Sequence, residues 1–285
     1  MSDYDISSPS HRDKIAFEIH NNIDKYCETV YDGGHRSHLG ASLIGDPCAR
    51  KLWYTFRWAK HHKHTGRMHR LFNRGHREEE RFVEWLRGAG IEVFDFAEDG
   101  RQHRISAIGG HFGGSLDGIG ILPFNGEKVL LEFKTYNAKS FKRLVENGMR
   151  DAKPMHFAQT SVYGKHYGLK YVLYLAICKN DDELHVELVE LDWALASDLE
   201  RKAEYIITAQ EVPPRCCSSE SHFQAKMCEY KSLCWEFNMT LDKNCRSCAN
   251  CRPVDNGGWY CDEFNAEVPQ EFISTGCDNW KPIVK

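Results

Sequence analysis

The chain of 285 residues contains no stretch near the roughly 18 consecutive apolar residues that a membrane span needs. Its opening, MSDYDISSPSHRDK, lacks the basic and then apolar layout of a secretory leader. A membrane protein is therefore not expected, and a cytoplasmic one is. Internal repeats and low-complexity tracts are also missing. With 41% hydrophobic and 27% charged residues the chain is not short of core-forming side chains either, which argues against disorder. The most telling absence is local. From Cys48 to Arg77 there is no Asp or Glu, against nine Lys or Arg and five His, although the whole chain carries a net charge of −4.

What stands in that acid-free run is a set of cations interleaved with Trp53, Tyr54, Phe56, Trp58 and Phe72, residues that anchor a helix or stack on bases. Because backbone charge dominates nucleic-acid affinity, the run predicts phosphate contact, with Arg50, Lys51, Arg67, Arg70 and Arg74 as DNA-binding residues. Such contacts position a duplex or strand without reading bases.

Cysteine is the residue in excess. Twelve thiols without a secretory leader fit metal ligation better than a disulfide framework. Cys27, Cys48 and Cys178 are scattered, whereas Cys216, Cys217, Cys228, Cys234, Cys245, Cys248, Cys251, Cys261 and Cys277 crowd the C-terminal quarter.

The periodicity predicts helices over 11–30, over 48–60 after Pro47, and over the segment RLFNRGHREEERFVEWLRGAG, which ends at Gly88 and Gly90. Strands follow at about 91–96, 102–108, 111–121 and 128–135, read as a β-meander. Helices at 138–148 and 154–167, strands at 171–179 and 184–191 and a helix at 193–210 complete a core that Pro213-Pro214 closes. The expected organisation is an α/β core over 1–212, a cysteine-containing extension over 213–240, and a cysteine-rich tail over 241–285.

The segment with the clearest chemistry is Gly113-Gly-Ser-Leu-Asp117-Gly-Ile-Gly followed by Val129-Leu-Leu-Glu132-Phe-Lys134. Strand alternation puts Glu132 and Lys134 on one face and Phe133 on the other, and a hairpin can bring Asp117 beside them. Carboxylates bracketed by apolar residues are costly to bury without a compensating cation. Oxygen ligands of this kind suit Mg²⁺ or Mn²⁺.

An Asp, a run of about fifteen residues and an apolar-bracketed E-x-K resemble the signature of the PD-(D/E)XK nuclease superfamily. Gly75-His-Arg-Glu-Glu79-Glu80 resembles that family's first motif, with Glu79 as the acid and Glu78 and Glu80 as its competitors. Gln159-Thr-Ser-Val-Tyr163 resembles the Q-x-x-x-Y motif of the RecB-type branch, and Ser42 through Cys48-Ala-Arg-Lys51 to Tyr54 is similar to the N-terminal segment of RecB-type and CRISPR-associated nucleases and their phage relatives. The resemblance spans about residues 40–165 and implies a central mixed sheet flanked by helices. It also implies Glu79, Asp117, Glu132 and the Phe133 carbonyl as holders of one or two divalent ions, with Lys134 at the attacking water, Gln159 steadying the nucleophile or strand, and Tyr163 packing below it and counted in the DNA-binding set. The implied function is a metal-dependent deoxyribonuclease, an exonuclease of recombination, repair or replication in a bacterial or phage-infected cell, with DNA and a recombination or replication protein as partners. The alternative is a catalytically silent nuclease fold that binds DNA or protein.

In the Fe–S members of this branch a late cysteine group joins the N-terminal cysteine around a [4Fe–4S] cluster. Cys48, Cys228 and Cys234 fit three of those positions, but Ala225 stands at the fourth, which leaves Cys217, Cys216, His222 or nothing to complete the set. A cluster, a zinc ion and a relic site of buried thiols are the three readings. Separately, the knuckle Cys245-x-x-Cys248 with Cys261 and Cys277 has the spacing of a structural Zn²⁺ site, in which Cys251 could replace one of the first pair.

Overall fold

The computed structural model describes Ile6 and residues 8–284; the outer limits of the segments 1–212 and 241–285 lie outside these. Helix α1 (Pro9–Val30) starts with a proline in its first turn, where the missing N–H costs nothing. After the short β1 (Leu39–Gly40) come α2 (Ala49–Phe56) and α3 (Gly66–Gly88). The Thr65 side chain accepts from Met68 N and caps α3. Strands β2 (Glu92–Phe94), β3 (Arg104–Ala107), β4 (Phe112–Ser115), β5 (Gly118–Ile121) and β6 (Lys128–Tyr136) precede α4 (Ala138–Ala152) and α5 (Pro154–Tyr167). Asn137 caps α4 through Ser140 N, and α5 stops at Gly168, whose φ of 67° is left-handed. Strands β7 (Tyr171–Cys178) and β8 (Leu184–Glu190) and helix α6 (Trp193–Thr208) follow.

Strands β2-β5-β6-β7-β8 form a mixed sheet in which only β6 and β7 run parallel. Residues Val129 to Phe133 of β6 are all buried, as expected of a central strand covered on both faces. Leu131 and Phe133 pack with Phe82, Val83 and Leu86 of α3 on one face. Leu130 joins the larger core of α2, α4, α5 and α6 on the other. The fold is thus mixed α/β with helices on both sides of the sheet.

The predicted meander is corrected. The segment expected as one strand over 111–121 breaks at Leu116–Asp117, because β4 pairs with β1 and β3 in a separate sheet while β5 joins β2 and β6. Leu116 is held in the passage by its N–H on the His103 carbonyl. The break lifts Asp117 out of any ladder and leaves its carboxylate free to turn toward β6.

The cysteine-rich tail forms β9 (Cys251–Pro253), β10 (Trp259–Cys261) and β11 (Ala266–Glu267), after a short helix α7 (Phe223–Lys226). Cys248, Cys251, Trp259 and Ile273 of the tail are buried in the same cluster as the helical core. Among the described residues, no helix is long and apolar enough to cross a membrane.

Candidate active site

Glu132 and Lys134 project from the α5 face of β6, and Phe133 goes to the opposite face, where it stacks on Phe82 with ring centroids 5.1 Å apart. Phe82 lies three residues beyond Glu79 on α3, so this contact sets the register of the helix and brings Glu79 to the rim of the site. Asp117 accepts from Phe133 N at 2.7 Å. The Lys134 ammonium contacts Glu132 Oε1, reaches the Phe133 carbonyl at 3.0 Å and stands 3.9 Å from Asp117. From α5, Gln159 Nε2 donates to Glu132 Oε1 at 3.3 Å. The geometry therefore gathers Glu79, Asp117, Glu132, Lys134 and Gln159. Glu78 is turned away and paired with Arg81 at 2.7 Å, while Glu80 is exposed.

Three carboxylates share one ammonium here, with Asp117 and Glu132 within 4.0 Å of Lys134 and Glu79 paired with His76 Nδ1 at 3.3 Å, so the carboxylates outnumber the lysine by two. Burial, reinforced by Asp117 and Glu79, pushes Glu132 up to about 7 despite Lys134. Glu79 is raised as well, first by burial and then by Asp117. Burial opposes the charge on Lys134, but Glu132 and Asp117 outweigh it and the lysine is held as an ammonium more firmly than usual. Glu132 is fully buried, and its Oε2 has no hydrogen-bond partner. An orphaned carboxylate oxygen beside surplus negative charge is what a missing divalent cation would leave. A cleft of about 790 Å³ opens onto Glu79 and Lys134 and carries Arg36, His64, Phe72 and Lys179 on its walls.

Tyr163 does not face this cleft. It is 2% exposed, and its phenol lies so close to Gly114 that a Cβ there would come within 2.2 Å of the hydroxyl oxygen. The expectation that Tyr163 contacts DNA is corrected: it is a floor under the site, with its phenol pKa raised by burial and by Glu132 and Asp117.

The continuous basic track is corrected too. Arg50 donates to the Pro213 carbonyl at 2.6 Å and to Cys234 Sγ at 3.7 Å, and Lys51 pairs with Asp46 at 2.9 Å. Arg70 is paired with Asp24 of α1. Arg57 is buried outright. Helix α2 buries Leu52, Trp53, Tyr54 and Phe56 and takes its cations inward with them, whereas Arg67 and Arg74 of the longer α3 remain exposed.

Cys48, Cys216, Cys217, Cys228 and Cys234 line one cavity of about 270 Å³ together with Lys51 and Arg215. Burial, with hydrogen bonds and charge from Cys48 and Cys217, raises Cys216 to about 12. His222 instead caps α7 through Gln224 N. In the tail, Cys251 shares its hydrogen bonding between Cys245 and Cys248 and faces Cys261 across the β9–β10 pair. That bond, helped by the N–H groups of Lys281 and Asn250 and by Arg57, brings Cys248 down to about 5. Cys251 thus sits at the centre of the tail cysteines. Cys277 follows Gly276, whose N–H donates to Cys245, and its thiol enters none of the bonds just named. Among the described residues, no three or more His, Cys, Asp or Glu side chains stand arranged to hold a metal ion as placed, so none of the expected metal sites is preformed. The physical reason is visible in each case: Lys134 occupies Glu132, and the tail thiols bond to one another.

No protein family and no curated protein sequence matches the chain. Among solved structures it is similar to LHK-Exo, an alkaline exonuclease from Laribacter hongkongensis, at 18% identity over 60% of this chain and 86% of that one, with TM-scores of 0.45 for the complex with dAMP and 0.42 for a second structure. It is also similar to SSO0001, at 16% identity over 78% of this chain and 96% of that one, with a TM-score of 0.44. Likeness at this level transfers no activity from those proteins to this one.

Proposed function

We propose that this chain is a divalent-metal-dependent deoxyribonuclease that hydrolyses phosphodiester bonds from DNA ends. The observation that carries the reading is the under-compensated carboxylate group at Glu79, Asp117 and Glu132, with its orphaned Glu132 oxygen, beside a lysine held as an ammonium. Those carboxylates and the Phe133 carbonyl are hard oxygen donors that fit Mg²⁺ or Mn²⁺. When bound there, such an ion supplies Lewis acidity at the scissile phosphate.

The remaining roles belong to the chain. Lys134 donates hydrogen bonds to the attacking water and to the phosphoryl oxygens as charge builds on them; held as an ammonium, it is an electrostatic and orienting group rather than a base. Gln159 fixes the Glu132 carboxylate through its amide N–H. Arg36 and Lys179 in the cleft attract and seat the sugar-phosphate backbone. Phe82 and Phe133 keep bulk water from the buried side of the carboxylates.

The thiol groups suit softer ions. Cys48, Cys228 and Cys234 with Cys216 or Cys217 are proposed as a site for a [4Fe–4S] cluster or Zn²⁺, which visible absorbance and metal analysis of the purified protein distinguish. The tail cysteines Cys245, Cys248 and Cys261, with Cys251 or Cys277 as the fourth, are proposed as a structural Zn²⁺ site.

The test of the nuclease reading is degradation of end-labelled linear, circular and single-stranded DNA with Mg²⁺ or Mn²⁺, wild type beside Glu132→Ala. Loss of linear DNA with metal and in wild type alone is the expected result. Binding without cleavage on every substrate would replace the enzyme by a DNA-binding component of a larger assembly.

A further inference from the structure

Helix α4 leaves the catalytic strand directly: Tyr136 ends β6, and Asn137 caps the helix. Tyr136 shares the face of Glu132 and Lys134, two residues further along the strand. Its hydroxyl lies 2.5 Å from Tyr174 Oη and 3.1 Å from His156 Nδ1, which also reaches Tyr174 at 2.8 Å. Over the Tyr136 ring, 3.9 Å from its centre, sits the Lys153 ammonium, steadied by Ser140 Oγ at 2.5 Å. Burial holds His156 down at about 3, and Lys134 and Lys153 both add to the effect, so the neutral imidazole stands between the two lysines. Arg143 of α4 is the next cation beyond Lys153 and is exposed.

The cleft presents Lys134 together with Lys179, whose backbone N–H is bonded to the Tyr136 carbonyl at 2.7 Å, with Arg74 beside it. Lys153 and Lys179 share an electrostatic peculiarity. Lys153 is lowered by burial and by Arg143, and Lys179 by burial and by Arg74, with no acid contributing to either. Among the described residues, none of Arg74, Arg143, Lys153 and Lys179 has a carboxylate within 4.0 Å, although nearby Lys142 and Arg150 do. Cations that crowd one another without an acid are relieved by an incoming anion. Two such pairs meet at Tyr136, two residues beyond Lys134.

Building on the nuclease reading, we propose that Arg143 and Lys153 form a second phosphate-contacting arm beside Arg74 and Lys179, so that the substrate is a polynucleotide strand held at phosphates beyond the reacting one. A mononucleotide-sized diester reaches only the centre. A strand several nucleotides long reaches both arms and gains from each.

The test uses the full chain and the double variant Arg143→Glu/Lys153→Gln, with Arg143→Lys/Lys153→Arg as the charge-keeping control. Thymidine 5′-(p-nitrophenyl phosphate) probes the centre alone, and a 12-nucleotide single strand probes both arms. The charge-altering variant should hydrolyse the small diester within about twofold of wild type, while kcat/KM on the strand falls about tenfold or more. Fluorescence anisotropy, which needs no cleavage, should show a matching rise in Kd and a salt slope shallower by about 1.4 for two lost phosphate contacts. The control should behave as wild type. An unchanged Kd and salt slope would overturn the arm, and so would an equal loss on both substrates, which marks a structural role. If wild type cleaves neither substrate the nuclease reading fails, yet the anisotropy result still decides whether the arm binds a strand.

Discussion

Two buried groups of charge sit within this fold, and they are built oppositely. At Glu79, Asp117, Glu132 and Lys134 the acids outnumber the cation, one carboxylate oxygen has no partner, and the cleft leads in from solvent. At Arg57 and Arg246, each 1% exposed, two guanidinium groups lie together with no carboxylate of the described residues within 4.0 Å. Peptide carbonyls serve most of their donors instead, while Arg57 Nη1 and Arg246 Nε are left without a hydrogen-bond partner. Arg57 bonds the carbonyls of Arg246, Cys248 and Cys251, and Arg246 bonds those of Ser37 and Phe56, with Trp259 packed against both. Burial brings Arg57 down to about 10. The second group is sealed from solvent, spread over neutral dipoles and serves attachment; the first is unbalanced in charge and reachable through the cleft, which is the arrangement chemistry requires.

The sharpest way to test that contrast is to remove the one cation of the open group. Lys134→Ala should lower cleavage by about 100- to 1000-fold, the scale of losing a preorganised donor at developing charge. Mg²⁺ binding, read by calorimetry, should persist or strengthen because the competing ammonium is gone. Retained turnover would show that Lys134 is only a salt-bridge partner.

Next in size is the closed group. Arg246→Ala strips buried carbonyls of their donor and should cost about 3 kcal/mol or more in urea unfolding. Arg246→Lys should fail to restore it, since one ammonium cannot replace a planar fork that spans Ser37 and Phe56. A loss below about 1 kcal/mol would mean that the aromatic packing alone holds the tail.

The smallest effect separates the groups by pH. Glu132 is raised in the fold to about 7 from an ordinary 4.5, so the fold favours its protonated form. Its contribution to stability is then full below pH about 4.5 and is lost as pH rises through about 7, a change of about 2 to 3 kcal/mol. Chelator-treated protein should melt at progressively lower temperature across that window, and Mg²⁺ should raise the melting temperature more at pH 8 than at pH 5. In Glu132→Gln this component of the pH dependence should disappear; its persistence would assign it elsewhere.

Much of this arrangement was legible in local pattern. The helices and the strands of the sheet follow hydrophobic periods that survive folding, and the same alternation placed Glu132 and Lys134 together with Phe133 opposed. The convergence of Asp117 with them could be anticipated from a hairpin, but not the break between β4 and β5 that turns Asp117 free. Charge was the least readable quantity. Arg50, Lys51, Arg57 and Arg70 look in sequence like Arg67 and Arg74; only their partners in the fold, at Pro213, Asp46, the tail carbonyls and Asp24, show that they are engaged within the protein. The cations Arg143 and Lys153, proposed above as an arm, drew no notice in sequence for the converse reason, since Glu146 and Asp151 stand among them and the stretch reads as mixed. In the tail, spacing identified a knuckle, but only strand pairing reveals that Cys251 faces Cys261.

The arginine attachment also has a consequence for how the molecule is made. Arg57 and Phe56 find their partners about 190 positions further along the chain. During synthesis from the N-terminus, the seat for Trp259 and Arg246 against α2 stays vacant long after β6 has emerged. The nascent protein would expose that apolar seat until the tail arrives, so production rather than finished stability is where the molecule is most exposed to aggregation.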